Sequence, residues 1–461
     1  MKHLKKRSLA FYWAMFITAG TLIMSSCQKY LDAKPDKSLE VPTTLQDFQA
    51  IMDEQFLNLY YPYAGDVASD DYFLGYSDWQ RSEQDPARNS YVWDGKAATD
   101  RDWLLNYASV TSCNIVLEGV DQVPATGAAI SQKNNIKGQA YFIRAYTFAG
   151  LTNVYTLPYD KNSSQTELGI PLRLKADVTA KTTRSTLEET YRQIISDLKQ
   201  AAKLLPVSPV VKSRASKPAA YGALARTYLA MQDYQNANLY ADSSLQLYSK
   251  LIDYNTLDTS SYNPFTRYND EVIFHALSSG TDGVLDPYYA RADTTLYRSY
   301  AGNDLRKYLF YFHEGQGYYG FKGDYSGESY GQLFDGIATD EQLLIRAETY
   351  IRLGEVDKGI ADLNRLLSTR YSQGTYVPYP AGMSADLALP LLLAERRKEL
   401  AFRSMLRWYD LRRLNQDPRF AKTLTRKLNG VTYTLAPGDK RYAFLLPAQV
   451  VAISGIQQNS R

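Results

Sequence analysis

Three segments of the chain repeat one spacing of large and small residues. In each segment a large residue comes first and an alanine follows four positions later. An aromatic residue follows three positions after the alanine, and a large apolar residue three positions after the aromatic residue. The members are Tyr141, Ala145, Phe148 and Leu151; Tyr221, Ala225, Tyr228 and Met231; and Leu343, Ala347, Tyr350 and Leu353. Such steps place all four residues on one face of an α-helix. Because the alanine lets a second helix approach closely, the pattern predicts a scaffold of paired helices.

The second and third segments continue through a turn to a further small residue, Ala237 or Gly359, twelve positions after the alanine. This arrangement resembles the tetratricopeptide repeat. Successive alanines are 80 and 122 positions apart, however, whereas that repeat recurs about every 34 residues. The sequence therefore predicts a mainly α-helical fold, in which tetratricopeptide-like helix pairs form a right-handed helical scaffold with long, loop-rich insertions.

The first 26 residues have the properties of an export signal. Basic residues at 2–7 precede an apolar stretch, 9–24, which is shorter than the roughly 20 residues of a membrane-spanning helix. Small residues then lead directly to Cys27. This order is typical of a bacterial lipoprotein signal, so we expect cleavage before Cys27 and its acylation, which would anchor the protein stably to a membrane. The alternative is an ordinary signal peptide followed by a cysteine by chance.

Removal of the signal changes the charge balance. Four of the 52 basic residues lie in the signal, whereas none of the 49 acidic residues does. Removal of the signal therefore leaves 48 basic and 49 acidic residues. A near-neutral protein gives no indication of nucleic-acid binding. With Cys27 acylated, Cys113 has no disulfide partner and is expected to be a small buried residue.

The other elements follow from periodicity and capping residues. Helices are predicted over 45–59, 102–120, 138–155, 185–205 and 391–414, and helix pairs over 217–248 and 340–367. Thr43 or Thr44 is the predicted cap of the first helix, and Ser185 with Glu188 forms the predicted capping box of the helix that ends at Leu205. Residues 61–94 and 251–335 are expected to be loop-rich, and 442–447 to dock as an apolar strand or coil. The six arginines of 391–414 leave two possibilities, a solvated helix face or buried pairing with carboxylates.

The lipoprotein signal, the interrupted helix pairs and the C-terminal motifs together resemble the SusD/RagB family of Bacteroidetes outer-membrane lipoproteins. The residues that carry the resemblance are Cys27, Lys29-Tyr30-Leu31-Asp32, Pro35, Trp103, Asn114, Gly138-Gln139-Ala140, Arg144-Ala145, Asp304-Leu305-Arg306, Arg346-Ala347-Glu348, Glu395-Arg396-Arg397-Lys398-Glu399-Leu400, Asp410-Leu411-Arg412-Arg413, Leu446-Pro447 and Asn459. Two positions depart from it, since Arg403 and Ser404 stand where the family usually has glutamate and glycine. The chain is also shorter than most members, which puts loop-borne binding elements in doubt.

The resemblance implies one SusD-like domain over 27–461, with an N-terminal part to about residue 250 and a C-terminal part from about 251. It implies an outer-membrane lipoprotein that faces the cell exterior, captures nutrient and passes it to a TonB-dependent transporter of the SusC type. It implies binding and no chemistry of the protein's own.

The residues themselves give little support to catalysis. His275 and His313 have no metal-ligand spacing, and the sequence contains no G-x-S-x-G, P-loop or H-E-x-x-H motif. Asp70, Asp71 and Asp78 could in principle supply a glycosidase pair, but acidic runs in loops are more often solvated. We therefore predict a protein that is not an enzyme and has no cofactor and no metal site.

Aromatic side chains in the two loop-rich tracts are the best candidates for a binding site. Sugar rings stack on flat aromatic faces while polar side chains bind their hydroxyls. The candidates are Tyr72, Tyr76, Asp78, Trp79, Tyr289, Arg291 and Tyr319, with Trp79 foremost. The alternative for each ring is that it packs its loop down. Trp93, Trp103 and Trp408 lie next to helical patterns and are expected in the core.

Three functions remain compatible with these observations: a glycan-binding partner of a transporter, the same architecture capturing peptides, and a scaffold lipoprotein whose tyrosines only pack.

Overall fold

The computed structural model describes residues 41–81, 85–278, 283–327 and 332–461, and residues Thr44–Arg461 form one compact unit. The predicted signal, Cys27 and the motif at 29–35 lie outside the described residues. No helix in the described ranges is long and apolar enough to cross a membrane.

Helices make up most of the regular structure. In chain order they are α1 Leu45–Met52, α2 Phe56–Leu59, α3 Ala64–Ala68, α4 Tyr76–Arg81, α5 Asp85–Tyr91, α6 Asp100–Gly119, α7 Ala128–Tyr155, α8 Leu187–Leu204, α9 Lys217–Ala230, α10 Tyr234–Leu247, α11 Thr294–Ser299, α12 Arg306–Leu309, α13 Thr339–Arg352, α14 Val356–Leu367, α15 Ala385–Glu399, α16 Leu406–Leu414 and α17 Ala448–Ser454. The strands are short: β1 Tyr72–Phe73, β2 Val272–Phe274, β3 Arg291–Ala292, β4 Tyr311–Gly315, β5 Tyr318–Phe321, β6 Ile337–Ala338, β7 Leu424–Leu428 and β8 Val431–Leu435. The predicted mainly α-helical class is confirmed.

The three predicted helix pairs are present as α7 with α8, α9 with α10, and α13 with α14. Helix α8 also packs on α9, and α10 on α13, so the pairs are continuous in space although distant in sequence. The repeated alanines Ala145, Ala225 and Ala347 are fully buried. Their small side chains stand where neighbouring helices approach, as the spacing predicted.

Several predicted boundaries are wrong. The helix predicted over 45–59 ends at Met52, and a separate short helix follows at Phe56–Leu59. The tract 61–94, predicted to be loop-rich, also contains three short helices. The helix α8 is capped by Thr186, whose hydroxyl accepts from Glu189 N–H while the Glu189 carboxylate accepts from Thr186 N–H. The predicted cap, Ser185, is one residue early because its hydroxyl donates to Ile170 O at 2.7 Å instead.

The predicted helix over 391–414 is broken into α15 and α16. Phe402 and Met405 in the break have φ of 55° and 62°, which ends the helical path. Two carboxylates accept the N–H groups that the break exposes: Asp71 Oδ2 from Phe402 N–H at 3.3 Å and Asp66 Oδ1 from Met405 N–H at 2.7 Å. Helical periodicity on both sides of the break concealed it from the sequence.

Five of the six arginines of this region pair with carboxylates, and the buried Arg412 instead donates to backbone carbonyl oxygens. Of the two possibilities left by the sequence, pairing with carboxylates is therefore the one that mostly holds. Arg396 binds Asp410 at 2.8 Å, and Arg413 binds Glu348 at 2.6 Å and Asp410 at 2.9 Å. Arg403, at the position where the chain departs from the SusD pattern, binds Asp340 at 2.8 Å. Buried charges need such partners, so these pairs fix how α13, α15 and α16 pack.

Asp66 makes the stability of this junction pH-dependent. Burial raises the pKa of Asp66 to about 7, although hydrogen bonds from Met405 N–H and the Ser404 hydroxyl oppose the rise. The folded state therefore holds a proton that the unfolded state releases near its ordinary pKa of 3.8. We expect the contribution of Asp66 to the free energy of unfolding to be fully present below about pH 4. It should decrease as pH rises to about 7, by up to about 1.4 kcal/mol per pH unit.

Urea denaturation between pH 4 and pH 8 would measure this slope, with Asp66→Asn as the comparison. The asparagine variant should show a smaller decline in unfolding free energy over that range. Equal slopes in the two proteins would contradict the assignment to Asp66.

The C-terminal segment docks as predicted. Phe444 N–H donates to Val154 O at 2.8 Å, and Tyr442, Phe444 and Leu446 are buried. The Asn459 amide donates to Phe444 O at 2.6 Å and to Tyr155 O at 2.9 Å, which ties the segment to the end of α7.

Candidate ligand-binding site

Two loop-rich tracts that are about 200 residues apart in sequence meet at one small sheet. Strand β1 from the first tract pairs antiparallel with β3 from the second, which sets Phe73 opposite Arg291. The hairpin of β4 and β5 packs beside β3. The pairing brings several predicted binding residues to one surface.

Arg291 lies at the centre of this surface. Its Nη1 is 3.2 Å from Asp78 Oδ2 and its Nε is 3.2 Å from Glu314 Oε2. Its guanidinium also lies 5.2 Å from the ring centroid of Tyr318. If residue 75 had a side chain, its Cβ atom would lie 2.9 Å from Asp78 Oδ2 and 3.0 Å from Arg291 Nη1. Glycine at this position therefore allows the two charged groups to lie close to the backbone. The three elements that carry Asp78, Arg291 and Glu314 are thereby held together.

The elements that meet at this charged centre, and the residues next to them, carry aromatic rings that we call the aromatic patch: Phe73, Tyr76, Trp79, Tyr288, Tyr289 and Tyr318. Tyr76, Tyr288 and Tyr289 are 39%, 46% and 36% exposed, respectively. The rings of Tyr76 and Trp79 lie 6.0 Å apart at 33°. Phe73 packs edge-on against Tyr318 with centroids 5.4 Å apart. Exposed rings with a charged centre provide both apolar faces and hydrogen-bonding groups.

Trp79, the foremost predicted residue, is half-buried and partly used by the protein. Its Nε1 donates to Arg88 O at 3.2 Å, and the Arg88 guanidinium lies 4.8 Å from its ring centroid. One face of the indole is therefore covered. Tyr76 beside it is more exposed and presents the larger accessible ring.

Two predicted residues do not join the patch. Tyr72 is buried, its hydroxyl donating to Val67 O at 2.8 Å, so its ring packs in the core and not in the patch. Tyr319 lies on β5 next to Tyr318, and alternation along a strand sends the two side chains to opposite faces. Tyr319 stacks on Tyr297 with centroids 3.6 Å apart.

The remaining titratable candidates have structural roles. Asp70 binds Arg407 at 2.6 Å and Lys422 at 2.6 Å, and Asp71 accepts from Phe402 N–H, so these acids do not form a pair in an open cleft. Burial lowers the pKa of His275 to about 4. Trp93, Trp103, Trp408 and Cys113 are buried, as predicted.

One group of carboxylates in the described ranges converges closely enough to hold a metal ion. Single oxygens of Glu271, Asp340 and Glu399 lie within 4.8 Å of one another. Arg370 pairs with Glu271 at 2.8 Å and with Glu399 at 2.7 Å, while Arg403 pairs with Asp340. Because arginines already neutralise this group, it is an element of the core rather than a cation site.

The fold and this surface define a helical-repeat protein with a loop-borne, aromatic surface suited to binding. Residues 29–229 match the sequence model of a SusD-like family described as starch-binding associating with outer membrane. These residues are somewhat less than half of the chain, so the N-terminal part of the chain is similar to this family. A comparison with curated proteins found no match.

Solved structures share the fold across nearly the whole chain. A SusD superfamily protein from Bacteroides thetaiotaomicron has a TM-score of 0.74 at 20% identity, covering 91% of this chain and 100% of that one. A SusD-like carbohydrate binding protein from Bacteroides vulgatus has a TM-score of 0.68 at 20% identity, covering 90% and 97%. Surface glycan-binding protein A from Bacteroides fluxus has a TM-score of 0.69 at 16% identity, covering 91% and 99%.

Proposed function

We propose that the protein binds oligo- or polysaccharide at the aromatic patch. The observation that carries the proposal is that two distant tracts meet: α4, which carries Tyr76 and Trp79, contacts Tyr289 through Arg81 and Arg291 through Asp78. The SusD-like family description and the carbohydrate-binding relatives of the same fold support this ligand class. The role requires recognition and no bond-breaking step, so the protein is proposed to be a binding protein and not an enzyme.

The chemistry of the patch fits a sugar chain. Exposed tyrosine rings can stack on the apolar C–H faces of pyranoses. Asp78 and Glu314 can accept hydrogen bonds from sugar hydroxyls, and Arg291 can donate them. Arg291 Nη2 has no hydrogen-bond partner among the described residues, which leaves donors for a ligand.

We propose further that the protein is anchored to the outer membrane through acylated Cys27, faces the cell exterior and delivers its ligand to a SusC-like TonB-dependent transporter. The signal pattern before Cys27 and the family's outer-membrane association support the anchor. Metabolic labelling with a tagged fatty acid, compared with Cys27→Ser, would test it. Recovery of the transporter with the detergent-solubilised protein would test the partner.

Replacing Tyr76 by alanine is expected to weaken glycan binding about tenfold, since stacking of one exposed ring contributes about 1 kcal/mol or somewhat more. Calorimetry of a glycan that binds the parent protein would measure the loss. Tyr308→Ala is the matched control, because Tyr308 is similarly exposed, at 44%, but lies outside the patch.

Equal affinities of the parent and Tyr76→Ala for that glycan would contradict the site. Binding of peptides instead of glycans would favour the peptide-capturing alternative. An absence of both, in the presence of the transporter as well, would favour the scaffold alternative.

A further inference from the structure

A second groove is lined by residues of β1 and β7. Its volume is about 420 Å³, which is within the range of small-ligand sites. The groove residues are Asp70, Tyr72, Phe73, Leu74, Tyr91, Trp93, Asp293 and the run Lys422 to Lys427. Of the binding residues predicted from the sequence, Tyr72 lines this groove.

The groove adjoins the aromatic patch through Phe73. This residue lines the groove and its ring also packs against Tyr318 of the patch, 5.4 Å between centroids. A chain-like ligand that lies on the patch can therefore extend past Phe73 into the groove. The two surfaces would then bind successive units of one ligand.

The acidic residues of the groove are already neutralised. Asp70 pairs with Arg407 and Lys422, both at 2.6 Å. Arg397 lies 3.5 Å from Asp70, 3.7 Å from Asp71 and 3.5 Å from Asp293. Three carboxylates and three cations thus form a balanced cluster, of which Asp70, Asp293 and Lys422 line the groove.

Two further cations on β7 are left without a carboxylate. Arg426 is 7% exposed, and its guanidinium donates to the carbonyl oxygens of Val67, Ser69 and Tyr72. It stacks on Tyr91, 3.6 Å from the ring centroid. The next residue, Lys427, is exposed and makes no ion pair with any described residue. Carbonyl dipoles solvate a cation without cancelling its charge, so the groove carries a net positive charge.

We infer that this groove is a subsite for an anionic sugar unit, one that bears a carboxylate or sulfate group, next to the unit that stacks on the aromatic patch. The inference rests on the proposed function and adds a substrate class to it. Lys427 would pair with the anionic group at the exposed edge of the groove, while Thr423 and Thr425, also exposed, would contact hydroxyls. The buried charge of Arg426 would favour the anion through space.

The test compares acidic probes with their neutral counterparts on the full mature protein. The probes are polygalacturonate oligomers against their carboxyl-reduced form, and chondroitin sulfate oligomers against their desulfated, carboxyl-reduced form. Calorimetry should show tighter binding of an acidic probe than of its neutral form. The preference should decline towards 1 M salt, where the Debye length is about 3 Å.

Two variants assign the preference to the groove. Lys427→Gln should lower the affinity for the acidic probe about two- to fivefold, as expected for the loss of one exposed ion pair. The affinity for the neutral probe should stay unchanged. Thr425→Glu places a carboxylate in the groove and removes a hydroxyl contact, so it should weaken binding of the acidic probe more than binding of the neutral probe. Lys250→Gln is the matched control, because Lys250 is exposed but distant in sequence and outside the groove.

The outcomes separate this inference from the proposed function. Neutral probes that bind in a Tyr76-dependent manner, with no preference for the acidic form, would overturn the groove inference and leave the proposed function standing. An acidic preference that Lys427→Gln and Thr425→Glu leave unchanged would also overturn it. Failure of all saccharides to bind would overturn both.

Discussion

Replacing Glu399 by glutamine is expected to lower the free energy of unfolding by about 3–5 kcal/mol, the range for breaking a buried ion pair. Glu399 is fully buried and bridges two buried arginines, with 3.0 Å to Arg306 Nη1 and 2.7 Å to Arg370 Nη2. Burial by itself raises the pKa of Glu399, but Arg370 and Arg306 lower it below its ordinary value. The carboxylate is therefore ionised in the folded protein.

Glutamine keeps the shape of Glu399 and removes its charge. Arg306 would retain Asp304 and Glu395, each at 2.7 Å, but Arg370 would keep only Glu271. The amide group would also turn N–H donors towards arginine donors, which leaves buried groups unpaired.

Urea denaturation would measure the loss, with Glu355→Gln as the matched control. Glu355 forms an exposed ion pair with Lys358 three residues away, and such a pair contributes about 0–1 kcal/mol. Similar losses for the two variants would contradict the assignment of a structural role to the buried network.

The sequence predicted the helical pairs well because their signal is local. The steps from Tyr141 to Leu151 lie within one helix, and a buried alanine in mid-face is required wherever two helices cross closely. Errors occurred where a distant residue decides the local structure. The break between α15 and α16 depends on Asp66 and Asp71, which are more than 300 positions away in sequence.

One missed element had a local signal. Asn429-Gly430 lies between β7 and β8, and both residues have positive φ, 46° and 79°. An Asn-Gly pair between alternating apolar residues is a strong indicator of a two-residue hairpin. This hairpin carries Lys427 of the groove, so the sequence could have placed that residue on a strand.

The candidate site was predictable in composition and not in geometry. Aromatic and charged residues marked both tracts, but the pairing of β1 with β3 that joins them leaves no trace in either tract alone. Burial also separated residues of the same type: Tyr72 and Tyr76 are four positions apart, yet one is in the core and the other is exposed.

Trp408→Ala is the second substitution with a large expected effect, a loss of about 3–5 kcal/mol in unfolding free energy. Trp408 on α16 is fully buried, and its ring lies 4.9 Å from Tyr442 and 6.1 Å from Phe444 of the docked C-terminal segment. On its other side a Cβ at Gly65 would stand 2.7 Å from the indole, so α3 packs directly on the ring. Alanine would leave a cavity shared by three elements.

Trp408→Phe separates the contribution of volume from that of the indole N–H. Trp408 Nε1 is buried without a hydrogen-bond partner, so phenylalanine removes an unpaired donor along with part of the ring volume. We therefore expect Trp408→Phe to cost about 1–2 kcal/mol, clearly less than alanine. Urea denaturation of both variants would measure the difference. Equal losses would contradict the assignment of the effect to ring volume at this junction.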